Sequence, residues 1–403
     1  MSCPENLDRK DIVLMAYKLI LGREPENDNA LNRHFTDYQD LRQQFMNSEE
    51  FKQIISEHKG SESNQIIGII DIAEIYSHNK NQRFLWCINN DATDLVSNNA
   101  RKGNISIEPS LSCLFTTKGT FLDIGANIGA FCLSFAADGW NGYAFEASSK
   151  NAFALKSSIA LNGFDIQVIE SAVWEKTGKI YFMQQGPYGL VKNDLMLNAQ
   201  YEEIDCITLD DWIVLNNDIG IERIDFIKID IEGSEVAALR GMRHFLESYG
   251  YPPIFIEGNA FTLCLQGETI YSMLSLANSM GYRVYEFSER GLHTVDEKRI
   301  PKSVVTDFLL IKNFDSSLSF SKSDIYEEPK LSDEEILTQV IKQLSNYNEW
   351  EHYDPYICYA LKDYPTIHEH PEINKLLTEI SQEKDRDLFL SMAISWFTER
   401  RKV

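Results

Sequence analysis

No run of apolar residues in this 403-residue chain approaches the roughly 20 that a membrane-spanning helix needs. The N-terminus, MSCPENLDRKD, lacks the charged-then-apolar order of a signal peptide. Cysteine is scarce: seven are scattered, an odd number with no C-x-x-C. That argues against a disulfide framework and against zinc, and fits thiols kept reduced in a cytoplasmic setting. Positive charge is in deficit, with 38 Lys and Arg against 61 Asp and Glu and a formal charge of −23. Such a balance excludes a general nucleic-acid surface. Repeats and low-complexity tracts are also missing. The hydrophobic and charged fractions, 43% and 25%, are those of an ordinary globular protein, and the length has room for two or three domains.

The chain is organised around TFLDIGANIGAF, Thr120 to Phe131. Apolar and β-prone residues lead into Asp123; Gly125 and Gly129 follow with Ala126 and Asn127 between them, and a helical pattern then begins. A buried strand, a tight glycine turn and a helix N-terminus form the usual place for a nucleotide-like ligand in a doubly wound sheet. The turn is not the G-x-G-x-x-G that brings backbone N–H groups up to a pyrophosphate. A carboxylate at a strand end suits a ligand bearing an ammonium group rather than phosphates. S-adenosylmethionine (SAM), a cationic sulfonium with an amino acid and a phosphate-free adenosine, is such a ligand.

From Thr120 strands and helices alternate, which predicts a doubly wound, mostly parallel, seven-stranded Rossmann-like α/β sheet. Its strands are Phe121 to Ile124, NGYAFEA, FDIQVIESAVW, IDFIKIDIEG and PPIFIEGN, closed by RVYEFSE and VVTDFLLIKN as an antiparallel edge pair. KIYFMQQ, after Thr177 and Gly178, reads as a hairpin partner. Helices are expected over Ile128 to Ala137, Ser149 to Leu161 (stopped by Asn162-Gly163), Ser234 to about Tyr249, and Thr269 to Met280. Gly186 to Gln200 reads as a lid or substrate loop. The expected domains are a small helical domain over 1–60, the α/β domain over 61–313, an acidic linker over 314–330, and a helical C-terminal region over 331–403. The last opens on a Ser332/Glu335 capping box and has an aromatic core containing Trp350, Tyr353 and Trp396. His368 and His370 read as solvated loop residues rather than a metal pair, and no residue is assigned to a metal.

Glu146 ends the second strand, nineteen residues after Asn127. One helix and one strand set that spacing, and an acid there accepts hydrogen bonds from ribose hydroxyls. In KIDIEGSE, Asp230 ends a buried strand, where a carboxylate needs a partner. Glu232 and Glu235 flank Gly233 at a helix head, where acids also favour the helix dipole. Glu257, with Asn259, ends the next strand. This acidic rim could deprotonate a hydroxyl, bind the hydroxyls of a sugar, or hold a divalent ion through oxygens. Asp230 is the expected base, with Glu257 and Glu232 beside it. Glu108, just before the central strand, is a weaker candidate.

FLDIGANIGAF, YAFEASSKNAFALKSSIALNG, SAVWEKTGKIYF, ITLDDW, IDFIKIDIEGSEVAALRGM and PPIFIEGN together resemble an FkbM-type SAM-dependent methyltransferase, from about Glu108 to Lys312. The resemblance implies O-methylation of a hydroxyl on a sugar, glycan or natural product. By position it implies that Asp123, Gly125, Asn127 and Gly129 hold the methionine part, Glu146 the ribose, and Ala172 and Val173 the edge of the adenine. Ala147-Ser148 departs from the family, where proline after the glutamate is common. Separately, AYKLILGREP and FMNSEEFK resemble the helical domain of phycobilisome linkers, without its glycine-bearing middle. The implied partners are a small-molecule or glycan acceptor and, through the helical ends, another protein. Two other readings remain: a nicotinamide dehydrogenase, disfavoured by the missing third glycine and by Asp123, and a non-catalytic SAM-binding or scaffold protein of a surface-polysaccharide pathway.

Overall fold

The computed structural model describes residues 25–36, 70–76, 82–89, 94–103, 111–185, 188–192, 202–216, 220–288, 291–295, 305–315 and 317–327, with isolated positions elsewhere. In chain order the first elements are β1 (Ile70–Tyr76), β2 (Arg83–Asn89), α1 (Leu95–Arg101), β3 (Thr120–Ile124), α2 (Ala130–Ala137), β4 (Asn141–Phe145), α3 (Ser149–Asn162) and β5 (Ile166–Ile169). There follow β6 (Ala172–Val173), β7 (Gly178–Gln185), β8 (Tyr188–Lys192), β9 (Glu202–Ile207), α4 (Leu209–Leu215) and β10 (Phe226–Ile229). The rest are α5 (Glu235–Arg240), α6 (Arg243–Ser248), β11 (Ile254–Asn259), α7 (Ala260–Leu265), α8 (Ile270–Ser279), β12 (Arg283–Ser288), β13 (Gly291–Thr294) and β14 (Val305–Ile311). The chain divides into two compact units, Met1–Lys118 with Ala126–Glu170, and Gly119–Gly125 with Ser171–Val403.

In the first unit β1 and β2 form an antiparallel hairpin, and β4 and β5 run parallel. Neither of these two strands is foreseen in the sequence. A hairpin leaves one row of backbone groups without a strand partner, and each needs another. Helix α3 supplies them: Asn162 accepts from the Leu85 N–H at 2.8 Å and donates to its carbonyl at 2.7 Å, while Ser158 Oγ accepts from the Cys87 N–H at 2.9 Å. Ser148 caps α3, and Gly163 ends it at φ +63°, the stop expected at Asn162-Gly163. Asp94 caps α1 by accepting from the Ser97 N–H at 3.0 Å, and Asn89 donates to it at 2.8 Å.

In the second unit six strands lie in the order β13-β12-β14-β11-β10-β3. The middle strand β10 is parallel to both β3 and β11, whereas β11–β14, β12–β14 and β12–β13 are antiparallel. The seven-strand count is not confirmed, with six strands here and β4–β5 in the other unit, and the strands are mostly but not purely parallel. RVYEFSE and VVTDFLLIKN do pair antiparallel, but β14 lies between β11 and β12 rather than at an edge. Its run FLLI is buried, as an interior strand requires.

FDIQVIESAVW is two strands, and β6 joins a separate sheet of order β6-β9-β7-β8. KIYFMQQ has β8 and β9 as its partners. Of the expected lid, 188–192 form β8, and 186–187 and 193–200 lie outside the described residues. The helix expected from Ser234 to Tyr249 breaks into α5 and α6 at Gly241, where an added Cβ would run into the Trp174 carbonyl. Thr269 caps α8 in a reciprocal box with Ser272. The Ser332/Glu335 box is present, with the Glu335 N–H donating to Ser332 Oγ at 3.3 Å and the Ser332 N–H to the Glu335 carboxylate at 2.8 Å. Glu108, His368, His370, Trp350, Tyr353, Trp396 and nearly all of the expected N-terminal helices lie outside the described residues.

Candidate active site

Strand alternation and register assemble the centre of the second unit. Side chains two apart on a strand share a face, so Lys228 and Asp230 point the same way, opposite to Ile227 and Ile229. The β10–β3 register pairs Lys228 with Asp123. The result is a three-member charge line. Lys228 Nζ lies 3.4 Å from Asp123 Oδ1 and 3.3 Å from Asp230 Oδ2, and donates to the Gly125 carbonyl at 2.9 Å. Asp123 is fully buried, Lys228 is 10% exposed and Asp230 is 38% exposed. Burial alone would push the Lys228 ammonium down; the two carboxylates outweigh it and hold it above the usual lysine range. Gly125, at φ +80°, is required there, since a side chain would run into the Asp230 carbonyl.

The expected acidic rim is present on the same unit. Asp230, Glu232 and Glu257 each bring one carboxylate oxygen within 4.8 Å of the others. Asn259 donates to Glu232 at 3.5 Å. Glu235 is buried, and its Oε1 accepts from the Ile231 N–H at 3.0 Å and the Gly233 N–H at 3.3 Å. Burial pushes Glu232 up to about 8, helped by the charges of Asp230 and Glu235. It pushes Glu235 up to about 7, against the pull of its backbone donors. Glu257, crowded by Asp230, Glu232, Glu235 and Asp307 besides being buried, is also raised. Glu232 is held at φ +51°, an uncommon backbone for a residue with a side chain, and Gly233 follows at φ +95° packed against the Thr262 carbonyl.

The glycine turn continues into the first unit at Ala126, whose N–H donates to the Phe145 carbonyl at 2.9 Å. Asn127 adopts φ +52°, and its Oδ1 accepts from the Ile128 N–H at 2.8 Å; asparagine tolerates this left-handed backbone better than most residues. Glu146 takes the Asn127 N–H on Oε2 and the Ser148 N–H on Oε1, both at 2.8 Å. Each carboxylate oxygen has two lone pairs, so these bonds leave the geometry of a further acceptor intact. Gly129 caps α2 at φ +97°. Trp86, fully buried on β2, donates its indole N–H to the Ile128 carbonyl at 2.7 Å and steadies the turn from the hairpin side.

Asp123, Gly125, Asp230, Glu232 and Glu257 thus gather in the second unit, and Ala126, Asn127, Gly129 and Glu146 in the first. Ala172 and Val173 are buried in β6, paired with Cys206 and Ile207. Sequence reasoning missed Lys228 and Trp86. A lysine alternating with isoleucines in IDFIKID, two residues before an acid in need of a partner, was the available signal for the first. Nothing local marked the second, whose contact spans 42 positions.

A strand ending in a buried acid, a glycine turn with a capped helix and an acid closing the next strand are what a SAM-dependent methyltransferase domain would present, and the match of a methyltransferase model to this stretch supports that class, with SAM as its cofactor. Within that class, a model of the methyltransferase FkbM domain matches residues 123–284, from inside β3 into β12. Comparison with curated proteins gave no match. Among solved structures, the chain is similar to precorrin-6y C5,15-methyltransferase from Geobacter metallireducens GS-15, at 12% identity over 50% of this chain and 85% of that one, with a TM-score of 0.27. It is similar to a SAM-dependent methyltransferase from Agrobacterium tumefaciens at 14% identity over 57% and 66%, with a TM-score of 0.30. It is also similar to the Pyrococcus abyssi tRNA (uracil-54, C5)-methyltransferase, solved with S-adenosyl-L-homocysteine, at 10% identity over 56% and 41%, with a TM-score of 0.29. Likenesses at these scores fix neither fold nor activity.

Proposed function

We propose that the chain transfers a methyl group from SAM to a hydroxyl of a sugar, glycan or natural product. The donor set supports this: acids and glycines, with the Lys228 ammonium taken up by Asp123, Asp230 and the Gly125 carbonyl, suit a cationic, phosphate-free adenosine. In this reading Asp123, Gly125, Ala126, Asn127 and Gly129 hold the methionine part, Glu146 the ribose, and Ala172 and Val173 the adenine edge. SAM supplies an electrophilic methyl on a sulfonium. The acceptor oxygen must approach that carbon opposite the sulfur, and holding the two aligned contributes several kcal/mol, on the order of 7 or more in well-oriented cases.

An alcohol is a poor nucleophile at neutral pH, so a base that takes its proton near the transition state helps by roughly a hundredfold or more. The observation that carries the base assignment is the contrast along the rim. Asp230 faces the Lys228 ammonium at 3.3 Å and is the most open acid of the set, whereas burial holds Glu232 and Glu257 toward their protonated forms. Asp230 is therefore the base. Glu232 and Glu257, protonated, are suited to donate hydrogen bonds to the acceptor's other oxygens, and Asn259 extends that polar rim.

Mass spectrometry of extracts with and without the gene would find a product heavier by one methylene unit only when the chain is present. With that acceptor in hand, Asp230→Asn is expected to lose turnover by about a hundredfold or more while SAM affinity changes far less. Equal loss of both would make Asp230 a cofactor residue. A second reading, in which Asp230, Glu232 and Glu257 hold a divalent ion, is favoured by the 4.8 Å spacing of their oxygens. Inactivation by a chelator, reversed by Mg²⁺, would select it.

A further inference from the structure

SAM and its product S-adenosylhomocysteine differ by one methyl and one positive charge. When the methyl leaves, the S–CH₃ electron pair stays on sulfur, the sulfonium becomes a neutral thioether, and the acceptor's proton is lost to the base. A site that only attracted the donor through negative charge would respond to this change with every carboxylate near it. The charge line of the second unit has two such carboxylates and one ammonium. Asp123 is wholly buried, lies 3.4 Å from Lys228 and is its register partner on the neighbouring strand. Asp230 is the member open to solvent. Lys228 lies as close to one carboxylate as to the other, so the two negative charges and the one positive charge act together on a ligand as one net negative charge.

We infer that Lys228 sets how strongly this site distinguishes the cationic donor from its neutral product, by lowering the charge of the Asp123–Lys228–Asp230 line from that of two carboxylates to that of one. Lys228 is a specificity-determining residue that acts through its two acids and through its hydrogen bond to the Gly125 carbonyl, without itself touching the cofactor. The inference rests on SAM binding at this turn. On this count Asp123 meets the ligand's methionine part as one member of an ion pair rather than as a lone carboxylate. The neighbouring acids Glu232 and Glu257 are common to every variant compared below, so they drop out when one variant's ratio is set against another's.

The test is calorimetric titration of the full chain with SAM and, separately, with S-adenosylhomocysteine, reading the ratio of the two dissociation constants. Removing the cation in Lys228→Gln leaves the line with two net negative charges and is expected to shift the ratio toward SAM by about tenfold. Asp123→Asn leaves none and is expected to shift it about tenfold the other way. The double variant Asp123→Asn/Lys228→Met restores one charge and the wild-type ratio, and Lys228→Arg keeps it. If Lys228→Gln fails to fold, Asp123→Asn and the double variant decide the matter alone. A purely structural lysine would weaken both ligands equally, so ratios equal to wild type within about twofold in all variants would overturn the inference. A wild-type chain that bound neither ligand would remove the methyltransferase reading itself, and this inference with it.

Discussion

Replacing Lys228 by methionine separates the charge of that side chain from its length. Methionine keeps the unbranched stem in its place on β10 and removes the ammonium that lies 3.4 Å from Asp123, 3.3 Å from Asp230 and 2.9 Å from the Gly125 carbonyl. Asp230 is 38% exposed and recovers water readily; Asp123 is fully buried and does not. Nearly all of the cost therefore falls on Asp123. Breaking a buried pair from one side costs about 3–5 kcal/mol, because a desolvated charge is left without its counterion. For a folded body of this size that lowers the melting temperature by about 10 °C. Adding Asp123→Asn removes the stranded charge, so the double variant should regain about 2 kcal/mol or more of the loss. Urea unfolding followed by circular dichroism measures both variants against wild type. If Lys228→Met alone lies within about 1 kcal/mol of wild type, or if the double variant is no more stable than the single one, the pair is not what holds β10 to β3.

Two shorter expectations follow from the same region. Glu232 and Glu235 titrate near 8 and 7 in the folded chain, against an ordinary value of 4.5. Between those values the folded state holds protons that the unfolded state has released, so this contribution is complete below the unfolded value and is lost as pH rises through the folded ones. Urea midpoints should therefore fall from about pH 5.5 to about pH 8.5, and Glu232→Gln should flatten that slope. A midpoint that rises over the window, or a slope unchanged in the variant, would refute it. Gly125→Ala forces a side chain into a left-handed turn and into the Asp230 carbonyl. It is expected to destabilise by more than the 1 kcal/mol or so of the backbone conformation alone, and to abolish SAM binding in calorimetry.

How much of this was legible beforehand depends on range. Residues 120–131 announce strand, turn and helix because period, glycine placement and the acid at the strand end are local properties. The Asn162-Gly163 stop and the Ser332/Glu335 box were readable for the same reason: both are made by residues within a few positions of one another. Helix Ser234–Tyr249 was misjudged because its break at Gly241 answers to the Trp174 carbonyl, far away in sequence. The hairpin of β1 and β2 was unreadable because both faces of β2 are buried, which erases alternation, and because its outer backbone groups are satisfied by Asn162 and Ser158.

The amino-acid order by itself determined that β10 ends in an acid with a lysine two residues earlier, since alternation puts those side chains on one face of any strand. Only the tertiary structure decided that Asp123 is the third member. Strand register is a non-local quantity, and a slip of one residue would have set Lys228 against Leu122 or Ile124 and turned Asp123 away from the ammonium, leaving Lys228 and Asp230 together.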